Sequence, residues 1–305
     1  MLKKYTKREK KNFPFVIAML AFPILQFLIF YVYINFQSFV LAFTDISGNF
    51  TLSQFAGIIR EWNNPSLLSL PDSLIRSVIT WSLNTLIVFP CTVVFTYALY
   101  KKVPGELVFR VIFYLPSIVG SVVLTTLFRY LLDGPISTML YEMNLISDEL
   151  YQSGFFYGDT SFKIILLYGV WIGLCGNIVI LTGALARIPE EVLESAKIDG
   201  AGFFQEFFHI VLPLIWPTVS MLLIYTLAGI FTADSGTYLL TGLGNDAAST
   251  GGYYIFTYVY DVTKTGNVNA VHYPAAVGVF ITVITMPVVL IIRHLLEKHS
   301  EEIVY

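Results

Sequence analysis

The chain has 305 residues, 56% hydrophobic, 16% aromatic and only 13% charged, where an ordinary soluble domain is about 25% charged. A mean hydropathy of +0.70 excludes a soluble globular protein, and a formal net charge of −3 gives a nucleic-acid partner no electrostatic support. The sequence reads as an all-α polytopic membrane protein, and its two cysteines, Cys91 and Cys175, sit in apolar runs as small packing residues.

Residues 1–12 form a basic tail. The run from Asn12 to Thr44 carries no charge and far exceeds the roughly 7 to 15 apolar residues of a cleavable signal core, so it reads as a retained first span. A membrane helix needs about 20 predominantly apolar residues. Six segments satisfy this, at approximately 14–38, 77–100, 109–130, 162–186, 214–233 and 273–296. Lipid offers no hydrogen-bond partner to the backbone, so each is expected to be a helix, with kinks at Pro23, Pro90, Pro116, Pro217 and Pro287. The organisation expected is a first span with an outer loop over 13–75, a core of spans over 76–296 and a short C-terminal tail over 297–305.

Orientation follows from Lys and Arg. With a cytoplasmic N-terminus, thirteen of them fall on the inner side, six in the N-terminal tail and the others including Lys101, Lys102, Arg110, Arg187 and Lys197; five fall outside, Arg60, Arg76, Arg129, Lys163 and Lys264. Both termini and the loop 188–213 are then cytoplasmic. In the outer loops, Asn63-Asn64-Pro65 and Leu70-Pro71-Asp72 read as turns, and 131–160 shows no clear periodicity. The last outer segment, 235–272, carries the aromatic group Tyr253, Tyr254, Phe256, Tyr258 and Tyr260, which suits an interfacial belt.

Between the fourth and fifth spans the chain turns charged and small. Pro189 suits a first helical position, Glu190 and Glu191 place negative charge on the helix N-terminus, and Gly200 suits the left-handed closure of a helix. A second amphipathic piece from Phe203 to Ile210 leads to Leu212 and Pro213, giving two short helices and a turn. Ala196 and Gly200 fall on one face beside Ser195, Ala201 and Gly202, so another protein could approach closely. An ordinary connector between spans has the same local pattern.

Glu194-Ser195-Ala196, Gly200 and Ile210-Val-Leu-Pro213 are spaced as in the EAA loop of ATP-binding-cassette importer permeases, and the region resembles that family, with Ser195 where the family usually has Ala. Ile198-Asp199-Gly200-Ala201 and Phe109-Arg110 through Leu115-Pro116 look like its carbohydrate branch, the maltose and glycerol-3-phosphate type permeases. The resemblance covers roughly residues 76–296 and implies a type I importer permease fold. It implies ATPase coupling through Glu194, Ser195, Ala196, Asp199, Gly200, Ala201, Ile210, Leu212 and Pro213. It also implies a second permease subunit, two ATPase subunits that bind ATP and Mg, a solute-binding protein reached by the last outer loop, and alternating access.

Polar residues inside spans face the bundle interior and are candidates for a solute path. They are Trp171, Gly173, Gly176, Asn177 and Thr182 on the fourth span and Thr226, Thr232 and Asp234 on or after the fifth. An aromatic face with amide and hydroxyl groups suits a sugar; Gly173 and Gly176 equally suit close helix packing. Asn84 and Asn144 serve equally as a helix–helix hydrogen bond and a loop residue. No phosphate-binding Gly-Lys-Ser/Thr loop, no nucleophile with a base at motif spacing and no spaced histidine cluster occurs, so neither catalysis nor a metal or cofactor in this chain is expected. An ion-driven secondary transporter would need midplane ionisable residues, which the span interiors almost lack. A non-transporting scaffold or sensor subunit is the other class considered.

Overall fold

A computed structural model describes residues 7–63, 69–266 and 271–301. Among them no strand forms, and the isolated Thr44–Phe50 bridge closes a tight loop instead. Five helices are long and apolar enough to cross a membrane: Met19–Ala42, Leu70–Tyr100, Thr160–Leu185, Phe203–Ala228 and His272–Leu296. Glu106–Ile118 and Ser121–Glu142 make a sixth if taken as one span, bent by 115°. The expected Asn64-Pro65 turn and the outer ends of both tails lie outside the described residues.

Three sequence expectations change. The helix expected from 77 starts at Leu70, because the Ser69 hydroxyl accepts the Asp72 N–H at 3.3 Å and Pro71 occupies the first turn, where its missing N–H costs nothing. Leu70-Pro71-Asp72 is therefore a helix start, not a loop turn. The helix expected from 214 starts at Phe203 and runs unbroken through Pro213. Its π-helical turn Phe207–Val211 immediately precedes Leu212 and Pro213, widening the coil where the proline ring would strike the carbonyl four residues back. Asn84–Val88 does the same before Pro90. Lastly, 109–130 is not one helix: it breaks at Val119 and Gly120, just past Pro116, whereas Pro217 and Pro287 stand inside uninterrupted helices.

The chain divides into two compact units, one of residues up to Ile59 with Tyr258–Phe280, the other Arg60–Thr257 with the chain from Ile281 onward. In the first, Met19–Ala42 leaves its apolar side chains exposed as far as Val40, with Leu41 half-buried and Ala42 buried. Its end is held by His272, whose Nδ1 lies 2.9 Å from the Leu41 carbonyl, and by Phe43, which stacks on Phe50 and tilts against Phe55.

The second unit contains the core. One cluster gathers Phe89, Val93 and Tyr97 with Leu181, Leu185 and Ile188, and with Phe207, Val211, Ile215 and Val219. The other joins Leu132, Phe155, Phe156, Ile165, Tyr168 and Leu240. The segment 131–160 is more ordered than its sequence suggests: Asp148–Ser153 forms a short helix capped by Ser147, with Tyr141 and Tyr151 stacked 4.4 Å apart. Tyr253 and Tyr254, expected in an exposed belt, are fully buried. Their hydroxyls donate to the Gly242 carbonyl and the Glu61 carboxylate, which anchors Gly251–Thr265 internally.

Candidate functional site

The charged hairpin forms as a helix, Glu190–Ile198, closed by a left-handed glycine. Pro189 takes the position before the helix, not its first residue. Gly200 has φ +79°, its N–H donates to the Lys197 carbonyl, and the Ala201 N–H donates to the Ala196 carbonyl at 2.9 Å. Those paired bonds make a Schellman closure. A side chain on Gly200 would meet nothing within 4 Å, so backbone conformation alone demands glycine within this chain.

The hairpin has two faces. Leu193 and Ala196 are buried, Leu193 in the same cluster as Tyr97, Leu185 and Phe207. Glu194, Ser195, Asp199 and Gly200 are exposed, and Ile198 is 85% exposed, an unusual state for a large aliphatic residue. Ala196 and Gly200 thus do not share a free face, because Ala196 packs inward. Ala201, Ile210, Leu212 and Pro213 are half-buried, the last three within the helix that becomes the next span. A shallow groove lined by Asp199, Ala201, Gln205, His209 and Ile210 flanks the hairpin.

Elsewhere in the same unit, a cavity of about 340 Å³ is lined by Asn84, Ser121, Thr125, Tyr168, Gly169, Gly173, Asp234 and Ser235, among others. Four segments meet there, and glycine makes the approach possible: a Cβ on Gly169 would lie 2.4 Å from Ser235 Oγ, and one on Gly173 2.6 Å from Asn84 Oδ1. Asn84 donates to the Thr80 carbonyl of its own helix, and the Tyr168 and Thr125 hydroxyls are 3.0 Å apart. Asp234 Oδ1 accepts from the Thr237 N–H and hydroxyl and from the Thr250 hydroxyl, so it caps the turn into Thr237–Thr241 at the cavity wall.

Of the eight residues expected along a solute path, the cavity brings together Gly173 and Asp234. Trp171 instead stacks on Phe128, with Tyr168 edge-on to it. Gly176 faces open space, Asn177 sits at the break between Thr160–Gly176 and Ile178–Leu185, and Thr182 bonds Tyr114 at 2.8 Å. The Thr226 hydroxyl turns back on its own helix while its carbonyl accepts from the Trp81 indole; Thr232 is exposed. Asn144, with φ 54°, is a loop residue.

The sequence reading missed Ser121, Thr125, Tyr168 and Ser235 in the wall, and a buried column of Ser69, Ser73, Ser77 and Thr80. Spacing of three to four residues marks that column as one helix face. Ser73 pairs with Ser249, and Ser77 donates to the Ala233 carbonyl and accepts from the Gly251 N–H. It also missed Glu206, whose side chain is 3% exposed and bonds Lys101 Nζ through both oxygens, at 2.7 and 2.8 Å.

Comparison with known proteins decides what this arrangement is. The profile of the family described as "Binding-protein-dependent transport system inner membrane component" matches residues 89–301, most of the chain, including the hairpin and every cavity residue named above except Asn84. The chain belongs to that family. As an inner membrane component of such a system it is a transport permease. It is 25% identical over 257 residues to the multiple sugar-binding transport system permease protein MsmF of Streptococcus mutans, covering 83% of this chain and 87% of that one. It is likewise 25% identical to the arabinooligosaccharides transport system permease protein AraP of Bacillus subtilis, over 93% of this chain and 88% of the relative. Its fold matches a chain of a bacterial ABC transporter involved in the import of the acidic polysaccharide alginate, with a TM-score of 0.76, 22% identity, and coverage of 96% and 98%.

Proposed function

We propose that this permease is one half of the membrane channel of a bacterial, ATP-driven carbohydrate importer, coupled to its ATPase through the hairpin around Gly200. The observation that carries the reading is the construction of one unit: a charged hairpin is seated on the bases of helices that elsewhere line an open cavity bearing several polar side chains. The exposed Glu194, Ser195, Ile198, Asp199 and Gly200 present the surface an ATPase would grip, while Leu193 and Ala196 hold the hairpin to the permease. Ala201, Ile210, Leu212 and Pro213 continue that joint into the span beginning at Phe203.

The bias of Lys and Arg supports a cytoplasmic hairpin and cytoplasmic termini. Carbohydrate as substrate is supported by the relatives named for sugars and by the cavity, whose amide, hydroxyls and tyrosine suit hydroxylated solutes. A second permease chain, two ATPase subunits carrying ATP and Mg, and an external binding protein complete the assembly. ATP binding closes the ATPase pair, the hairpin moves as a lever, and the cavity changes the side from which it opens. No residue of this chain performs the hydrolysis.

The test is reconstitution in vesicles with the partner permease, the ATPase and the binding protein. Sugar uptake that requires all components and ATP supports the reading. Uptake driven by a proton or sodium gradient without the ATPase, or no flux with every component present, rejects it.

A further inference from the structure

Lys101 and Glu206 form a joint that the transport reading leaves unused. Glu206 ends the first turn after the hairpin, Phe203–Glu206, and its carboxylate is almost wholly buried, with a side chain 3% exposed. Lys101 follows the last helical residue, Tyr100, of the span that began at Leu70, and its ammonium lies 2.7 and 2.8 Å from the two carboxylate oxygens. The same helix end supplies Tyr97, whose ring tilts against Phe203 at 4.7 Å and Phe207 at 5.1 Å, with Lys101 Nζ 5.9 Å from its centroid.

A buried charge pair with an apolar alternative available is not an efficient source of stability, since the desolvation of both ions offsets much of their attraction. What such a pair does well is fix one register between two elements. Here the elements are mechanically placed. Phe203–Ala228 is one continuous helix joined to the hairpin by the short turn through Gly200 and Gly202, so displacement of the hairpin reaches its base directly. The span carrying Lys101 also carries Asn84 in the cavity wall and is joined to the hairpin along the chain only through the intervening helices from Glu106 to Leu185.

We propose that the Lys101–Glu206 pair is a positioning joint that locks the base of the Leu70–Tyr100 span to the hairpin, so that hairpin movement is passed to the Asn84 wall of the cavity. Tyr97, Phe203 and Phe207 pack around the buried Glu206 end of the pair, while Lys101 keeps 19% of its side chain exposed. The inference rests on the ATP-driven reading proposed above.

The experiment uses the whole transporter with its partners in vesicles and measures solute imported per ATP hydrolysed. Single variants leave one buried charge alone, so the decisive ones are the neutral pair Lys101→Met with Glu206→Gln and the exchanged pair Lys101→Glu with Glu206→Lys. The neutral pair should assemble and hydrolyse ATP within about twofold of the unaltered complex, while import per ATP falls at least tenfold. The exchanged pair should recover more than half of that loss. Unchanged import per ATP in the neutral pair overturns the proposal. So does loss of assembly in both double variants, which would make the pair structural only. Should the unaltered complex itself import without ATP, the transport reading has failed, independently of the joint.

Discussion

A Cβ on Gly173 would stand 2.6 Å from the side-chain oxygen of Asn84, and 2.9 Å from Val88, so two helices meet in the cavity wall with no space for a methyl group. Forcing one in requires the Asn84 and Val88 side chains to shift, at a cost of about 1 to 3 kcal/mol for an overpacked contact. Gly173→Ala is expected to lower the melting temperature of the detergent-solubilised protein and reduce uptake together. Gly176, three residues on, has nothing within 4 Å. Gly176→Ala should be neutral or slightly stabilising, because alanine is favoured over glycine in a helix by up to about 1 kcal/mol. Equal effects at the two positions would show that the contact does not matter.

Gly200 separates folding from docking. Its left-handed backbone makes any side chain cost about 1 to 2 kcal/mol, yet the surrounding space is open. Alanine and tryptophan should therefore destabilise the isolated chain by the same amount. If an ATPase seats on this face, Gly200→Trp abolishes uptake or ATPase association while Gly200→Ala retains a measurable fraction, with both proteins inserted normally in the membrane. Normal uptake by the tryptophan variant would remove the hairpin from the coupling path.

The Gly251-Gly252 pair is a different case, because the obstacle is main chain. A Cβ on Gly251 would lie 2.1 Å from the Phe231 carbonyl oxygen, and one on Gly252 2.7 Å from that of Thr232. Backbone cannot rotate away as a side chain can, so Gly251→Ala is expected to cost more than about 3 kcal/mol and to cut the amount of folded protein in membranes sharply. Gly183→Ala, at a position with nothing within 4 Å, is the matched control. Comparable yields for the two variants would contradict the close approach.

These glycines mark the limit of what the sequence can disclose. Hydropathy over about 20 residues located the five unbroken apolar spans among the described residues, since lipid makes that pattern obligatory, but not the break at Val119 and Gly120, and Gly200 was legible because its motif is local. Helix ends were not, where local signals competed: Leu70-Pro71-Asp72 reads equally as a turn, and only the Ser69 cap distinguishes a helix start. The fifth span reads as starting after Pro213, yet a π-helical turn carries one helix across it from Phe203. The inward packing of Ala196, the serine column and the Lys101–Glu206 pair depend on partners far away in the chain, which spacing alone does not reveal.

Asp234 tests what the cavity accepts. Its Oδ1 takes three hydrogen bonds that an asparagine oxygen can still accept, more weakly than a carboxylate, so Asp234→Asn should cost about 1 kcal/mol, whereas Asp234→Ala loses all three and should cost more, about 2 to 3 kcal/mol. The two substitutions share the loss of charge. A carboxylate in the wall repels an anionic solute and is indifferent to a neutral one, and at the intermediate dielectric of a half-open site a charge several Å away is worth about 1 to 3 kcal/mol. Asp234→Asn is therefore expected to leave uptake of neutral sugars within about twofold and to raise uptake of an acidic sugar about tenfold. The comparison is made in the complete reconstituted transporter with the neutral and acidic forms of one oligosaccharide, each supplied above saturation of the binding protein. An unchanged ratio of the two rates would mean that Asp234 serves only to hold the turn before Thr237–Thr241 and that solute selection is made elsewhere.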